Sequence, residues 1–151
     1  MNPSLKEQIH AQCLALLDQK IDRLQRSIAD AQKAASEDTK SSAGDKFETS
    51  REMLKQEINK HNQQLALTTK MKQQFGQIDP SQSIDHIAFG SLAETNEGLY
   101  YFSASLGKVE GEGQQCFALS MVSPIAKALA NHKAGEEVPF MKRSIKILNV
   151  S

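Results

Sequence analysis

The sequence predicts an α+β chain: an N-terminal antiparallel coiled-coil hairpin of two α-helices, then a small, mostly antiparallel β domain carrying one short helix. Three observations predict it. Between Pro3 and Gly76 there is no proline and a single glycine, Gly44, near the midpoint, and these two residue types are the strongest punctuators of local structure. The same stretch is rich in Ala, Leu, Gln, Lys and Glu, which are good helix formers. After residue 75 lie seven of the eight glycines and six of the eight Phe and Tyr residues, a composition suited to short strands and turns. The chain accordingly divides into a hairpin at 1–76, a linker at 77–83 (with Pro80) and a β domain at 84–151.

The first arm, near residues 5–36, carries Leu14, Leu17, Ile21, Leu24, Ile28, Ala31 and Ala35. Spacings of three and four alternate, which is an a/d heptad seam. The second arm, near 44–74, continues the rule through Phe47, Leu54, Ile58, Leu65, Thr68 and Phe75, with Arg51, His61 and Lys72 also at seam positions. Two such stripes on consecutive helices bury each other, so the chain is expected to be a monomer. His61 reads as a packing residue of the seam. A hairpin of this length reaches roughly 50 Å at 1.5 Å per residue, which makes its tip the place to look for function.

The tip, Ser36 to Glu48, is small, polar and rich in carboxylates, with the apolar seam interrupted. Asp45 and Glu48 are three apart, on one face of a helix that begins there. Glu37 and Asp38 end the first arm and approach them across the turn. Clustered carboxylates on a protruding tip suit a hard divalent cation. The same residues also fit a capping box, either Asp45 with Glu48 or Ser42 with Asp45, and acidic residues favour helix N-termini in any case. The two readings are compatible.

In the C-terminal half, apolar and aromatic segments at 84–92, 99–106 and 116–122 are separated by turn chemistry at Asn96-Glu97-Gly98 and at Gly107 to Gly113. Ser123 reads as an N-cap and Pro124 as the first residue of a short helix ending near Gly135. Ile125 and Leu129 are four apart on its expected inner face. Strands at 137–140 and 144–150 follow, around a turn at Met141 to Arg143. Alternation sends Tyr101 to one face of its strand and Tyr100 with Phe102 to the other.

Composition narrows the function classes. Lys+Arg 18 balances Asp+Glu 18, so no net charge points to nucleic acid or an anionic membrane. Direct sequence-specific nucleic-acid binding is not expected. No segment approaches the ~20 apolar residues of a membrane span, and the N-terminus has no signal-peptide core, so a soluble cytoplasmic protein is expected. Cys13 and Cys116 lie about 100 residues apart with no CxxC, and read as reduced packing residues. The four histidines are dispersed, and no phosphate loop, nucleophile elbow or Ser/His/Asp arrangement occurs. The chain offers no enzyme site of its own.

Taken together, these parts resemble the bacterial Gre transcript-cleavage factors. The resemblance rests on the order of hairpin and β domain, which covers nearly the whole chain. It rests more specifically on Ser123-Pro124-Ile125-Ala126-Lys127-Ala128-Leu129 followed by Gly135-Glu136-Glu137-Val138, similar to the family's Ser-Pro-Ile-Gly-x-Ala-Leu helix and Gly-Asp-Glu-Val strand entry. The short Gly44-Asp45-Lys46-Phe47-Glu48 is similar to the family's Gly-Asp-x-x-Glu at the hairpin tip. The resemblance implies an FKBP-like β domain that docks on RNA polymerase, with Ser123, Pro124 and Ile125 at the contact. It implies a coiled coil inserted in the polymerase secondary channel, where Asp45 and Glu48 position a Mg²⁺ shared with the polymerase active site, so that no cofactor is tightly bound. The polymerase then cleaves its own backtracked transcript. Glu37, Asp38, Lys40, Lys46 and Arg51 would support the tip. Thr49-Ser50-Arg51-Glu52 stands where the family has Asn-Ala-Glu-Tyr, and Lys40, Lys46 and Arg51 dilute the negative charge. A Gre-like regulator or inhibitor that enters the channel without stimulating cleavage is the alternative. A coiled-coil adaptor unrelated to transcription is the alternative of another class.

Overall fold

The computed structural model describes residues 3–38 and 44–151, with side chains of the two long helices described over 5–37 and from 48 onward. Helices α1 (Pro3–Asp38) and α2 (Gly44–Phe75) precede strands β1 (Leu92–Thr95), β2 (Gly98–Phe102), β3 (Gly107–Gly111) and β4 (Gln114–Leu119). Helix α3 (Pro124–Leu129) and strands β5 (Glu137–Phe140) and β6 (Arg143–Val150) complete the chain. The class is α+β. The six strands form one sheet in the order β3-β4-β2-β1-β6-β5. It is mixed rather than purely antiparallel, because β2 and β4 run parallel, with Leu99 opposite Cys116 and Phe102 opposite Leu119.

The chain folds as two compact units, one holding Met1–Leu16 with Gln74–Ser151 and the other Leu17–Gln73. The first turns of α1 thus go with the sheet unit. The reason is visible in the burial of α1. Over its first turns Leu5, Lys6, Ile9, His10 and Cys13 are all buried, two adjacent rows that make a broad face suited to a sheet. Beyond Leu17 only the narrow three-and-four stripe is buried.

In the helical unit, Leu17, Leu24, Ile28 and Ala31 are buried, and Ile21 and Ala35 are half-buried. On α2, Thr68 is buried, with its hydroxyl donating to the Gln64 carbonyl at 2.8 Å, and Leu54, Ile58, His61, Leu65 and Met71 are half-buried. Two of the expected seam positions are corrected. Arg51 is exposed, and Lys72 turns outward to pair with Asp18 (Nζ to Oδ1 2.6 Å), leaving Met71 in the stripe. A lysine needs water or a counter-ion, so the apolar thioether one residue earlier takes the inner place. His61 places Nε2 3.5 Å from Glu57, while its buried Nδ1 has no hydrogen-bond partner among the described residues.

In the sheet unit β2 is apolar on both faces. Tyr100 and Phe102 join Ile87, Ala93, Ala126, Leu129, Val138, Ile145, Ile147 and Val150 in one core. On the other side Tyr101 is fully buried and packs edge-on to Phe75 (6.4 Å) and His10 (6.0 Å). Gly111 permits the close approach of α1: a Cβ there would lie 2.8 Å from Ile9 Cγ1.

Several local expectations are revised. The apolar run at 84–91 is irregular, because Gly90 takes φ 91 and Ile87 spends its amide on the His132 carbonyl (2.9 Å). The glycine-rich stretch from 107 is not all turn: β3 occupies Gly107–Gly111, and only Glu112 and Gly113 turn, both with positive φ. Helix α3 stops at Leu129 rather than near Gly135, since Asn131 adopts φ 69 and donates to the Ile87 carbonyl at 2.8 Å. Met141 and Lys142 form the final two-residue turn at φ 47 and 65, the geometry that matches strand twist in hairpins.

On α3, Ala126 and Leu129 are fully buried and Ile125 only partly. Leu129→Ala is expected to cost about 2–4 kcal/mol in chemical denaturation, with Ile125→Ala costing less. Gly111→Ala is expected to cost about 1–3 kcal/mol by overpacking against Ile9; an unchanged denaturation midpoint would mean that α1 does not bear on β3 as described.

Candidate functional site

Two places hold the residues to which the sequence assigns function, and they belong to different units. The first is the end of the helix pair where α1 finishes and α2 begins. Glu37 lies exposed in the last turn of α1. Asp38, Asp45 and Lys46 sit in helix, but their side chains lie outside the described residues, as does Lys40 altogether. Glu48 and Arg51 are exposed and line one shallow cleft of about 530 Å³ together with Ala35, Glu52, Lys55 and Ile58.

The cleft is chemically mixed. Glu48 with Glu52, and Arg51 with Lys55, are each four apart on α2, so two carboxylates and two cations alternate around its mouth. None of the four forms an ion pair with a described residue. The apolar part of the lining comes from Ala35 and Ile58. Among the described residues no group of three or more His, Cys, Asp or Glu side chains is placed to hold a metal ion by itself.

The second place is the entry to α3. Ser123 is the N-cap at φ -66, ψ 150, and its Oγ accepts from the Ala126 amide at 3.3 Å and donates to the Ser120 carbonyl at 2.8 Å. Pro124 starts the helix, where its missing amide hydrogen costs nothing. Ser123 and Ile125 are half-buried and Pro124 is exposed. The hydroxyl of Ser123 is therefore committed to the backbone, which limits its part in any docking to shaping the turn.

Beside this turn lies a groove of about 410 Å³ lined by Gln74, Gln77, Phe89, Ser103, Ser120, Met121 and Val122. Val122 is 75% exposed. It occupies the position before the cap, where an apolar residue commonly packs against the fourth helical residue, but that residue is Lys127. Val122 thus has no partner of that kind, and Phe89 is exposed nearby. Reading the sequence for caps alone passed over this groove. The signal available was the apolar Met121-Val122 pair ahead of Ser123 with a lysine at the staple position.

Among the described residues no helix is long and apolar enough to cross a membrane. The chain matches no family model, no curated protein and no solved structure. Replacing Ser123 by Ala is expected to cost about 1 kcal/mol and to shorten α3 at its start. Loss of α3 amide protection in hydrogen exchange, with β1 to β4 unchanged, is the measurement that checks it.

Proposed function

We propose that the protein is a Gre-like accessory factor of bacterial RNA polymerase. On this reading the helix pair is an antiparallel coiled coil that enters the secondary channel, and the sheet unit is an FKBP-like domain that docks on the polymerase. The observation that carries it is the groove at the entry to α3, where Phe89, Met121 and Val122 lie among polar residues, adjoining the Ser123-Pro124-Ile125 turn through which the resemblance assigns docking. The three-and-four burial stripe on α1 and α2 and the charges of the α2 cleft support the same reading.

Asp45 and Glu48 are the residues that would hold a Mg²⁺ shared with the polymerase. Glu48 fits in being an exposed carboxylate with no ion pair to a described residue. A second divalent cation stabilises attacking and leaving oxygens in phosphodiester hydrolysis, and a donated carboxylate raises its occupancy. The catalyst is the polymerase, and this chain contributes ligands and position.

A second reading, a channel-entering regulator that does not stimulate cleavage, is favoured by Arg51 and Lys55 lining the same cleft as Glu48. Cations there compete with a metal for the carboxylate and repel it.

Co-purification with core RNA polymerase is the first test, and its absence would leave an adaptor unrelated to transcription as the better reading. Given binding, replacement of Asp45 and Glu48 together by Ala is expected to abolish stimulated cleavage in backtracked complexes. Polymerase binding should survive, and stability should fall by no more than about 1–2 kcal/mol, the usual cost of a lost cap. Wild-type protein that binds polymerase yet never stimulates cleavage across a range of Mg²⁺ concentrations would select the regulator.

A further inference from the structure

We propose that His10 and Tyr101 form an acid-released latch that holds the first turns of α1 and the end of α2 against the sheet. His10 Nδ1 lies 2.6 Å from the Tyr101 hydroxyl. Both residues are buried, at 7% and 0% exposure. Phe75, the last residue of α2, packs against the imidazole in a tilted pair, with ring centroids 5.3 Å apart at 39°. Three elements therefore meet on one hydrogen bond.

The described groups that face this bond are neutral or cationic, so a second positive charge is disfavoured there. From α1 come Lys6, one turn before His10, and Cys13. From β2 comes Tyr101 and from β4 Cys116, and from α2, among the described residues, the apolar Phe75. Lys6 is 1% exposed, and its ammonium donates to the Gln82 carbonyl at 3.0 Å. Asp79 acts on Lys6 from the segment after α2, but its carboxylate is bound to Ser81 at the surface. Among the described residues no carboxylate forms an ion pair with the imidazole.

Burial first, and then the charge of Lys6, hold the His10 pKa below its ordinary value. Burial pushes the Cys13 and Cys116 thiols up to about 12 and raises Tyr101 as well, while Asp79 is lowered by its bonds to Ser81. Histidine is the side chain of this cluster whose ordinary pKa lies between pH 5 and 8. In the neutral tautomer that carries its proton on Nε2, the Tyr101 hydroxyl donates to Nδ1. Once protonated, Nδ1–H must donate instead, and the Tyr101 hydrogen is turned into a surround of Phe75 and two thiols. The proton also places a second cation one helical turn from Lys6.

The released histidine, with an ordinary pKa of about 6.5, binds its proton more readily than the latched one. The latch is fully engaged above that value and weakens as pH falls below it. Residues 5–13 are the segment it frees, and the core around α3 on the opposite face of β2 is not involved.

Amide hydrogen exchange between pH 7.5 and 5, corrected for the intrinsic rate, tests this on the full chain. The opening constant of amides 5–13 is expected to rise as pH falls below 6.5, by at most about tenfold per pH unit, since no more than one proton is taken up on opening. Amides 21–31 should not follow it. In His10→Gln, whose amide hydrogen-bonds Tyr101 but does not titrate, that rise should vanish. Equal pH profiles in wild type and variant would overturn the latch. If the variant fails to fold, the imidazole titration of His10 in the wild type decides. A midpoint below 6.5 supports the proposal, and one at or above it overturns it.

Discussion

A strand that is apolar on both faces has to be covered twice, and β2 imposes that condition on the rest of the molecule. Tyr100 and Phe102 face a core closed by α3, β5 and β6. Leu99 and Tyr101 face the other way and are equally buried. A six-residue helix covers one side of such a sheet and no more. The second cover comes from the first turns of α1 and from Phe75, which is why the sheet unit takes chain from both ends of the helical pair. Gly111 lets Ile9 settle close enough to exclude water, and Tyr101 finds in His10 the partner that a buried hydroxyl requires.

The same constraint accounts for the two kinds of burial along α1. Against a sheet a helix presents a wide face, and Leu5 with Lys6 and Ile9 with His10 fill two rows. Against another helix it presents one stripe, and the spacing from Leu17 to Ala31 is that stripe. The burial of Lys6 follows from the wider face. Its position is enclosed whatever residue occupies it, and the Gln82 carbonyl compensates the ammonium in part. The sheet's outer strands are guarded by different means. Pro139 lies in β5 and removes a donor, while Lys108 and Glu110 flank Val109 on β3, so neither edge invites another strand. Exposed apolar surface is concentrated instead at Val122 and Phe89 beside the α3 cap, and in isolated side chains such as Met53, Leu67, Met141 and Leu148.

Charge is distributed with the same economy. Along the helical pair several ions are partnered, as in Asp22 with Arg26 and Asp18 with Lys72. Around the cleft on α2, Glu48, Arg51, Glu52 and Lys55 form no ion pair with a described residue, and exposed ion pairs contribute little to stability in any case.

How much was legible in the sequence follows from the range of the forces involved. The long helices, the Ser123-Pro124 cap, the alternation of Tyr100, Tyr101 and Phe102, and the last hairpin depend on neighbours within a few residues, and each is readable locally. The stripe on α1 beyond Leu17 is readable for the same reason, because periodicity is a local property. Three features needed the tertiary structure. β3 hides in a glycine-rich run, since its strand state depends on pairing with β4 rather than on propensity. The run at 84–91 has strand composition but lies where Ile87 must bond the end of α3, so its backbone donors are spent elsewhere. The division of α1 between sheet and partner helix depends on what lies above each turn, which no local pattern in Leu5 to Cys13 encodes. The acidic and basic residues at the tip could be named from sequence because polarity is written in the residues themselves. For the groove at Val122 the sequence offers only the unmatched staple of Met121-Val122 and Lys127, because exposure is decided when the rest of the chain has taken its place.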